Sequence, residues 1–198
     1  MLSGFPSRLR RALLALPVSV AAFAGAAQAD GEFVQLDLGT ETLTTVAAVE
    51  RGALTFGLVR AGYEEGREWS LATTYRVARP RILGATATIK AGLVAKLDDA
   101  DDLTPTTRVT AESYRDGDWG RLFWLAQIDG LGSGYYLGVQ GGFGRTPFGV
   151  GVDTQGSEDW HESSAVLTYR IAGTPVTLRL GQKLESGETF VGLSISRF

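Results

Sequence analysis

The chain contains no cysteine and only one histidine. Without cysteine there is no disulfide and no thiolate metal site, so hydrogen bonds and packing alone must hold the fold. One histidine leaves no metal-ligand spacing, and no cofactor is expected. Basic residues are outnumbered, with 19 Lys and Arg against 22 Asp and Glu, which excludes nucleic acid as a partner because phosphate binding needs clustered cations. No glycine-rich phosphate loop is present: Gly138, Gly141, Gly142 and Gly144 read as strand and turn, where small residues allow curvature or close approach. No carboxylate pair sits in an apolar pocket, so glycosidase chemistry has no footing. Past residue 29 no apolar run approaches the roughly 20 residues of a spanning helix. Almost no stretch has a helical apolar period. A helical membrane protein is excluded, and all-β is the class that remains.

The amino terminus has a different pattern. Arg8, Arg10 and Arg11 precede an uncharged apolar run from Ala12 to Ala26, which closes on Ala27-Gln28-Ala29. Basic, apolar, then small-x-small is the order of a secretory signal peptide, cut before Asp30. The expected division is a signal peptide over 1–29 and one domain over 30–198. The leader takes three arginines and no acid, so the remainder is more acidic than the formal −3 of the whole chain.

That remainder is built of short alternating segments. Trp69, Leu71, Thr73, Tyr75 and Val77 fall on one face of a strand, and Glu68, Ser70, Ala72, Thr74 and Arg76 on the other. From 82 to 95, Leu83, Ala85, Ala87, Ile89, Ala91 and Leu93 oppose Gly84, Thr86, Thr88 and Lys90. Leu167 and Tyr169 oppose Thr168 and Arg170, and Leu178 and Leu180 oppose Arg179 and Gly181. The pattern predicts about twelve strands, at roughly 32–38, 42–49, 53–62, 67–77, 82–95, 105–114, 119–128, 134–143, 146–153, 160–171, 174–184 and 188–198. Two joins, Gly39 to Glu41 and Gly142 to Pro147, could instead be bulges inside longer strands, which would merge both pairs and give about ten; about eight is the lower bound.

The longest predicted connections, Lys96 to Thr104 and Thr154 to Asp159, fall on the end opposite the termini. Short turns on one side and longer loops on the other are the outer-membrane pattern. Trp69, Trp160, Tyr75, Tyr114 and Tyr169 fall near strand ends, where rings with one apolar and one wet neighbour are expected.

With these segments the chain resembles small Gram-negative outer-membrane β-barrels of the porin-like superfamily. The most specific element is the end, Thr189-Phe190-Val191-Gly192-Leu193-Ser194-Ile195-Ser196-Arg197-Phe198, because members finish on a strand with a terminal aromatic. The resemblance implies a closed antiparallel transmembrane β-barrel, a location in the bacterial outer membrane, contact with membrane lipid and lipopolysaccharide, and delivery by the barrel-assembly machinery through the strand ending at Phe198. A monomer is expected. The usual pattern counts apolar residues back from that Phe at alternate positions. Here Ser196, Ser194 and Gly192 occupy them, and a bulge near Ser196 would restore the match.

If the apolar faces meet lipid, the other faces line a lumen carrying Glu68, Arg76, Lys90, Arg108, Glu112, Arg170, Arg179 and Lys183. Cations are in the majority in that set, so a conducting lumen should lean toward anions; alternatively the charges pair and plug it. The run Asp98-Asp99-Ala100-Asp101-Asp102 offers Asp98, Asp99, Asp101 and Asp102 as oxygen ligands for a divalent cation, or a solvated loop. His161 and Ser163 share one strand face, where His could serve a Ser nucleophile. That segment resembles lipid A 3-O-deacylases of the outer membrane, which carry His-x-Ser-Asn and a Glu further on. Ser164 stands in place of the Asn, and Glu185 could sit across the hairpin from His161, though offset from the family spacing. The readings are therefore a narrow channel or structural membrane barrel, an outer-membrane lipid hydrolase, or a soluble periplasmic β-protein.

Overall fold

The computed structural model describes residues 31–63, 66–82, 84–100, 102–130 and 134–197. The signal segment over 1–29, its cut before Asp30, and Leu83, Asp101 and Phe198 lie outside the described residues.

Twelve strands close into one antiparallel barrel. They are β1 (Gly31–Gly39), β2 (Leu43–Arg51), β3 (Leu54–Tyr63), β4 (Gly66–Ala78), β5 (Thr88–Leu97), β6 (Leu103–Gly117), β7 (Gly120–Asp129), β8 (Gly134–Phe143), β9 (Phe148–Gly156), β10 (His161–Arg170), β11 (Val176–Lys183) and β12 (Thr189–Arg197). Each strand pairs with its sequence neighbours, and β1 closes on β12 from Glu32↔Arg197 to Gly39↔Phe190. Closure removes the exposed edges that an open sheet would leave. Both described ends of the chain lie at one end of the barrel.

The two ambiguous joins are both turns. At one, the Gly39 amide donates to Thr42 O at 2.9 Å. At the other, Gly144 has a φ of 50°, a conformation glycine takes without steric cost. The strand expected over 82–95 divides instead. Arg81–Ile82 and Ala85–Thr86 form a minimal hairpin outside the barrel, and β5 begins at Thr88. A register shift between Arg76 and Ala78 ends the regular β4–β5 pairing just before this connection. The loop-length expectation also changes. β5 runs on to Leu97 and β9 to Gly156, shortening both predicted long loops, whereas the longest link between consecutive barrel strands is 79–87, on the end that holds the termini. Between Val191 and Arg197 the β12 register with β1 is unbroken, so no bulge at Ser196 shifts the parity.

The polarity of the barrel is inverted. Leu93 is 68% exposed and Ile128 is 66% exposed, with Leu71, Leu167, Leu178 and Val152 also exposed on the outer rows. No large apolar side chain is fully buried among the described residues. Lys90 and Asp129 are each only 5% exposed, and Asp37, Arg108, Ser164, Thr168 and Ser194 are buried with them. A soluble sandwich would bury Leu, Ile and Phe at its centre; this chain buries charge and hydroxyl there.

Candidate functional site: the barrel interior

Residues directly opposite in an antiparallel pair share a face, so the register assigns every inward row. Lys90 on β5 faces Arg76 on β4 and Thr110 on β6. Arg108 on β6 faces Asp129 on β7. Arg179 on β11 faces Thr168 on β10 and Gly192 on β12.

Toward the end that holds the termini, Lys90 Nζ sits 2.6 Å from Glu112 Oε1 and 3.2 Å from Glu50 Oε2. The other Glu50 oxygen lies 3.4 Å from Arg76 Nη1. These four side chains reach from β2 to β6 as one chain of alternating charge. Toward the opposite end, Arg108 donates to Asp129 twice, at 2.7 Å and 2.9 Å, and Lys96 Nζ adds a contact at 3.3 Å. Two parallel bonds of this kind are the strong form of a carboxylate–guanidinium pair.

A third group bridges the seam between the first and last strands. Arg179 Nε and Nη2 donate to Asp37 at 2.9 Å and 3.2 Å, passing over Gly192. Gln35 Nε2 donates to the same carboxylate at 2.7 Å. Only a residue without a Cβ leaves room there, because a methyl at 192 would meet the Asp37 carboxylate. Nearby the Phe190 ring lies over Gly181 in the same way, an aromatic covering the backbone that glycine bares.

At the rim, Glu188 clasps the β11–β12 loop to the β1–β2 loop. Its Oε1 accepts from the Glu41 and Thr42 amides at 2.8 Å, and its Oε2 accepts from Thr42 Oγ1 and Lys183 Nζ at 2.8 Å. Burial pushes this carboxyl upward, but the bonds from Lys183, Glu41 and Thr42 outweigh it and hold the pKa at about 2. Its ordinary value is 4.5. A depressed carboxyl stabilises the fold above the unfolded value and loses that contribution as pH falls. The clasp is therefore expected to be at full strength above pH 4.5 and to be lost as pH falls through about 2. Denaturant titrations across that window should show the loss in the wild type and a flatter profile in Glu188→Gln.

The sequence-derived lining residues are thus placed as follows. Arg76, Lys90, Arg108, Glu112, Arg179 and Lys183 each touch an opposite charge. Glu68 shares the row of Ser70 on β4 and is half-buried, and Arg170 is exposed at the end of β10. Sequence reasoning missed the carboxylates Asp37, Glu50, Asp129 and Glu188. They lie against Arg179, against Arg76 and Lys90, against Arg108 and against Lys183, so these lumen cations are paired. Tyr114 is exposed near the end of β6, opposite Phe123.

The other candidates lie outside the lumen. Asp98 Oδ1 accepts from the Ala100 and Asp102 amides at 3.0 Å, and Asp99 sits 3.6 Å from Arg67 Nε. These carboxylates are engaged with their own loop and with β4. His161 and Ser163 occupy the outer row of β10. Glu185 joins them, with Oε1 3.7 Å from His161 Nε2 and Oε2 accepting the Ser163 amide at 2.6 Å. The Ser163 hydroxyl turns instead to Thr154 Oγ1 at 3.3 Å. A serine nucleophile needs its hydroxyl on the histidine, and among the described residues no His161–Ser163 hydrogen bond exists.

No protein-family profile matches the chain, and no curated protein matches it in sequence. Its fold is similar to solved porins. A KdgM porin aligns with a TM-score of 0.54 at 9% identity, over 85% of this chain and 99% of the porin. A KdgM porin in complex with disordered oligogalacturonate gives 0.53 at 9% identity over the same shares. Twelve strands closed antiparallel, an apolar exterior, a charged interior and these matches give one architecture: the chain has the porin-like β-barrel fold.

Proposed function

We propose that the protein is a narrow outer-membrane channel lined by paired charges. The observation that carries this is the inverted polarity. An exterior of exposed Leu, Ile, Val and Phe around buried charge suits a hydrocarbon surround and is an aggregation hazard in water. The termini then lie on the periplasmic side and the opposite loops outside.

The interior is lined by hydroxyls as well as by charges. Thr55, Ser70 and Thr110 share inward rows, and their buried side-chain oxygens have no protein partner. The solved neighbour holds oligogalacturonate, a polyanion. In this chain Lys90, Arg108, Arg179 and Lys183 are matched by carboxylates, which favours small neutral or zwitterionic solutes.

Planar-bilayer recording tests the reading. The expected result is discrete small conductance steps and a reversal potential near zero in a KCl gradient. A protein that inserts into vesicles but never conducts is a structural component, and one recovered in the soluble periplasmic extract is not a membrane protein. Either outcome overturns the proposal.

A further inference from the structure

On the outer wall, away from the lumen, Arg60 and Trp69 are directly opposite on β3 and β4. The Arg60 guanidinium stacks 5.4 Å from the Trp69 ring centroid. This places a cation on a row otherwise made of Phe56, Leu58 and Leu71, and among the described residues Arg60 meets no carboxylate. The next outward pair toward the rim is Gly62↔Arg67. Arg60 and Arg67 are therefore diagonal neighbours, about 7–8 Å apart between Cα atoms by the geometry of such pairs. Gly62 leaves the position beside Arg67 without a side chain. Among the described residues the one carboxylate on Arg67 is Asp99 at 3.6 Å, with both side chains about half exposed, a contact weak enough to exchange.

Directly beneath, toward the middle of the wall, lies an apolar groove of about 640 Å³ across β2 to β6. Its lining includes Ala47, Leu58, Leu71, Leu93 and Ala95. Leu58 is two residues below Arg60 on the same face, and Leu71 is two below Trp69. Ala47 is buried although it lies on an outer row, so the groove is recessed there. Two arginines at diagonal outward positions beside Gly62, with an apolar groove below them, match an amphiphile with an anionic head and a hydrocarbon tail. Guanidinium suits phosphate through paired N–H donors, and an arginine facing hydrocarbon needs such a counter-charge.

We propose that this wall binds one phosphorylated membrane lipid of the lipid A type. The phosphate lies between Arg60 and Arg67, and an acyl chain lies in the groove. This rests on the outer-membrane reading, which puts this end of the strands at the outer leaflet.

The test is native mass spectrometry of the full barrel in neutral detergent, titrated with lipid A, dephosphorylated lipid A, the deacylated phosphorylated headgroup and inorganic phosphate. Lipid A should be retained by the wild type and lost about tenfold or more in Arg60→Ala/Arg67→Ala. The dephosphorylated lipid should bind weakly to both, and headgroup or phosphate alone should bind far less than lipid A. Equal retention by the double variant, or by the dephosphorylated lipid, overturns the phosphate contact. Equal binding of the headgroup alone overturns the groove. Vesicle insertion of both proteins is measured in parallel: a wild type that does not insert sinks the membrane reading itself, whereas insertion without lipid preference sinks this site alone.

Discussion

Replacement of Lys90 by methionine is expected to cost the barrel about 3 kcal/mol of unfolding free energy. Lys90 is 5% exposed and holds two carboxylates at 2.6 Å and 3.2 Å. Removing its charge leaves their negative charge without the central cation. The two are affected unequally. Glu50 keeps Arg76 at 3.4 Å, whereas the contact shown on Glu112 among the described residues is Lys90. Breaking a buried pair from one side generally costs about 3–5 kcal/mol. The low end applies because the Glu112 side chain retains 28% exposure. The asymmetry supplies a second measurement: adding Glu112→Gln to Lys90→Met should restore most of the loss. Urea titration of the vesicle-folded protein, followed by tryptophan fluorescence, reads both. A Lys90→Met variant as stable as wild type would mean that the alternating belt holds nothing together.

Gly192→Ala is expected to weaken closure of the barrel by a similar amount, about 3 kcal/mol. The added methyl would meet the Leu36 carbonyl oxygen and the Asp37 carboxylate. Backbone cannot yield as the far end of a side chain can, and overpacking of this kind costs about 1–3 kcal/mol. Relief by moving Asp37 would break its bonds from Arg179 and Gln35, and charged hydrogen bonds contribute about 1.5–3 kcal/mol each. The damage falls on the β12–β1 seam, which closes the cylinder. Gly141→Ala is the control, because its methyl would meet nothing nearer than the Arg121 carbonyl at 3.8 Å. The folded fraction after refolding into vesicles should drop for Gly192→Ala and stay at the wild-type level for Gly141→Ala. Equal yields would show that the seam tolerates the methyl.

Strand membership and facing were legible because a strand repeats every two residues. Leu71, Leu167 and Leu178 were assignable to rows opposite Ser70, Thr168 and Arg179 from order alone. The minimal hairpin at 81–86 was not, since its alternation is indistinguishable from that of the strand that follows. Its departure is set by the register shift between Arg76 and Ala78, a property of the pairing.

The interior was half legible, for a related reason. Arg76, Lys90, Glu112 and Arg179 stand within strongly alternating segments and declared their row. Asp37 and Glu50 lie in or beside segments of weak polar contrast, while Asp129 sits one residue beyond its expected strand. Alternation could not place them. The acid that reaches His161, Glu185, was legible as its neighbour across the hairpin, because the two segments are consecutive strands.

By itself the sequence determined an all-β chain with two-faced strands, because side-chain direction follows from covalent geometry one residue at a time. Tertiary structure alone decided that Lys90, Arg108, Arg179 and Lys183 each lie against a carboxylate, and that Arg60 stacks on Trp69 above an apolar groove. Those outcomes depend on closure and on which strand lies beside which, and a contact between residues as distant as Asp37 and Arg179 exists only once every register between them is set.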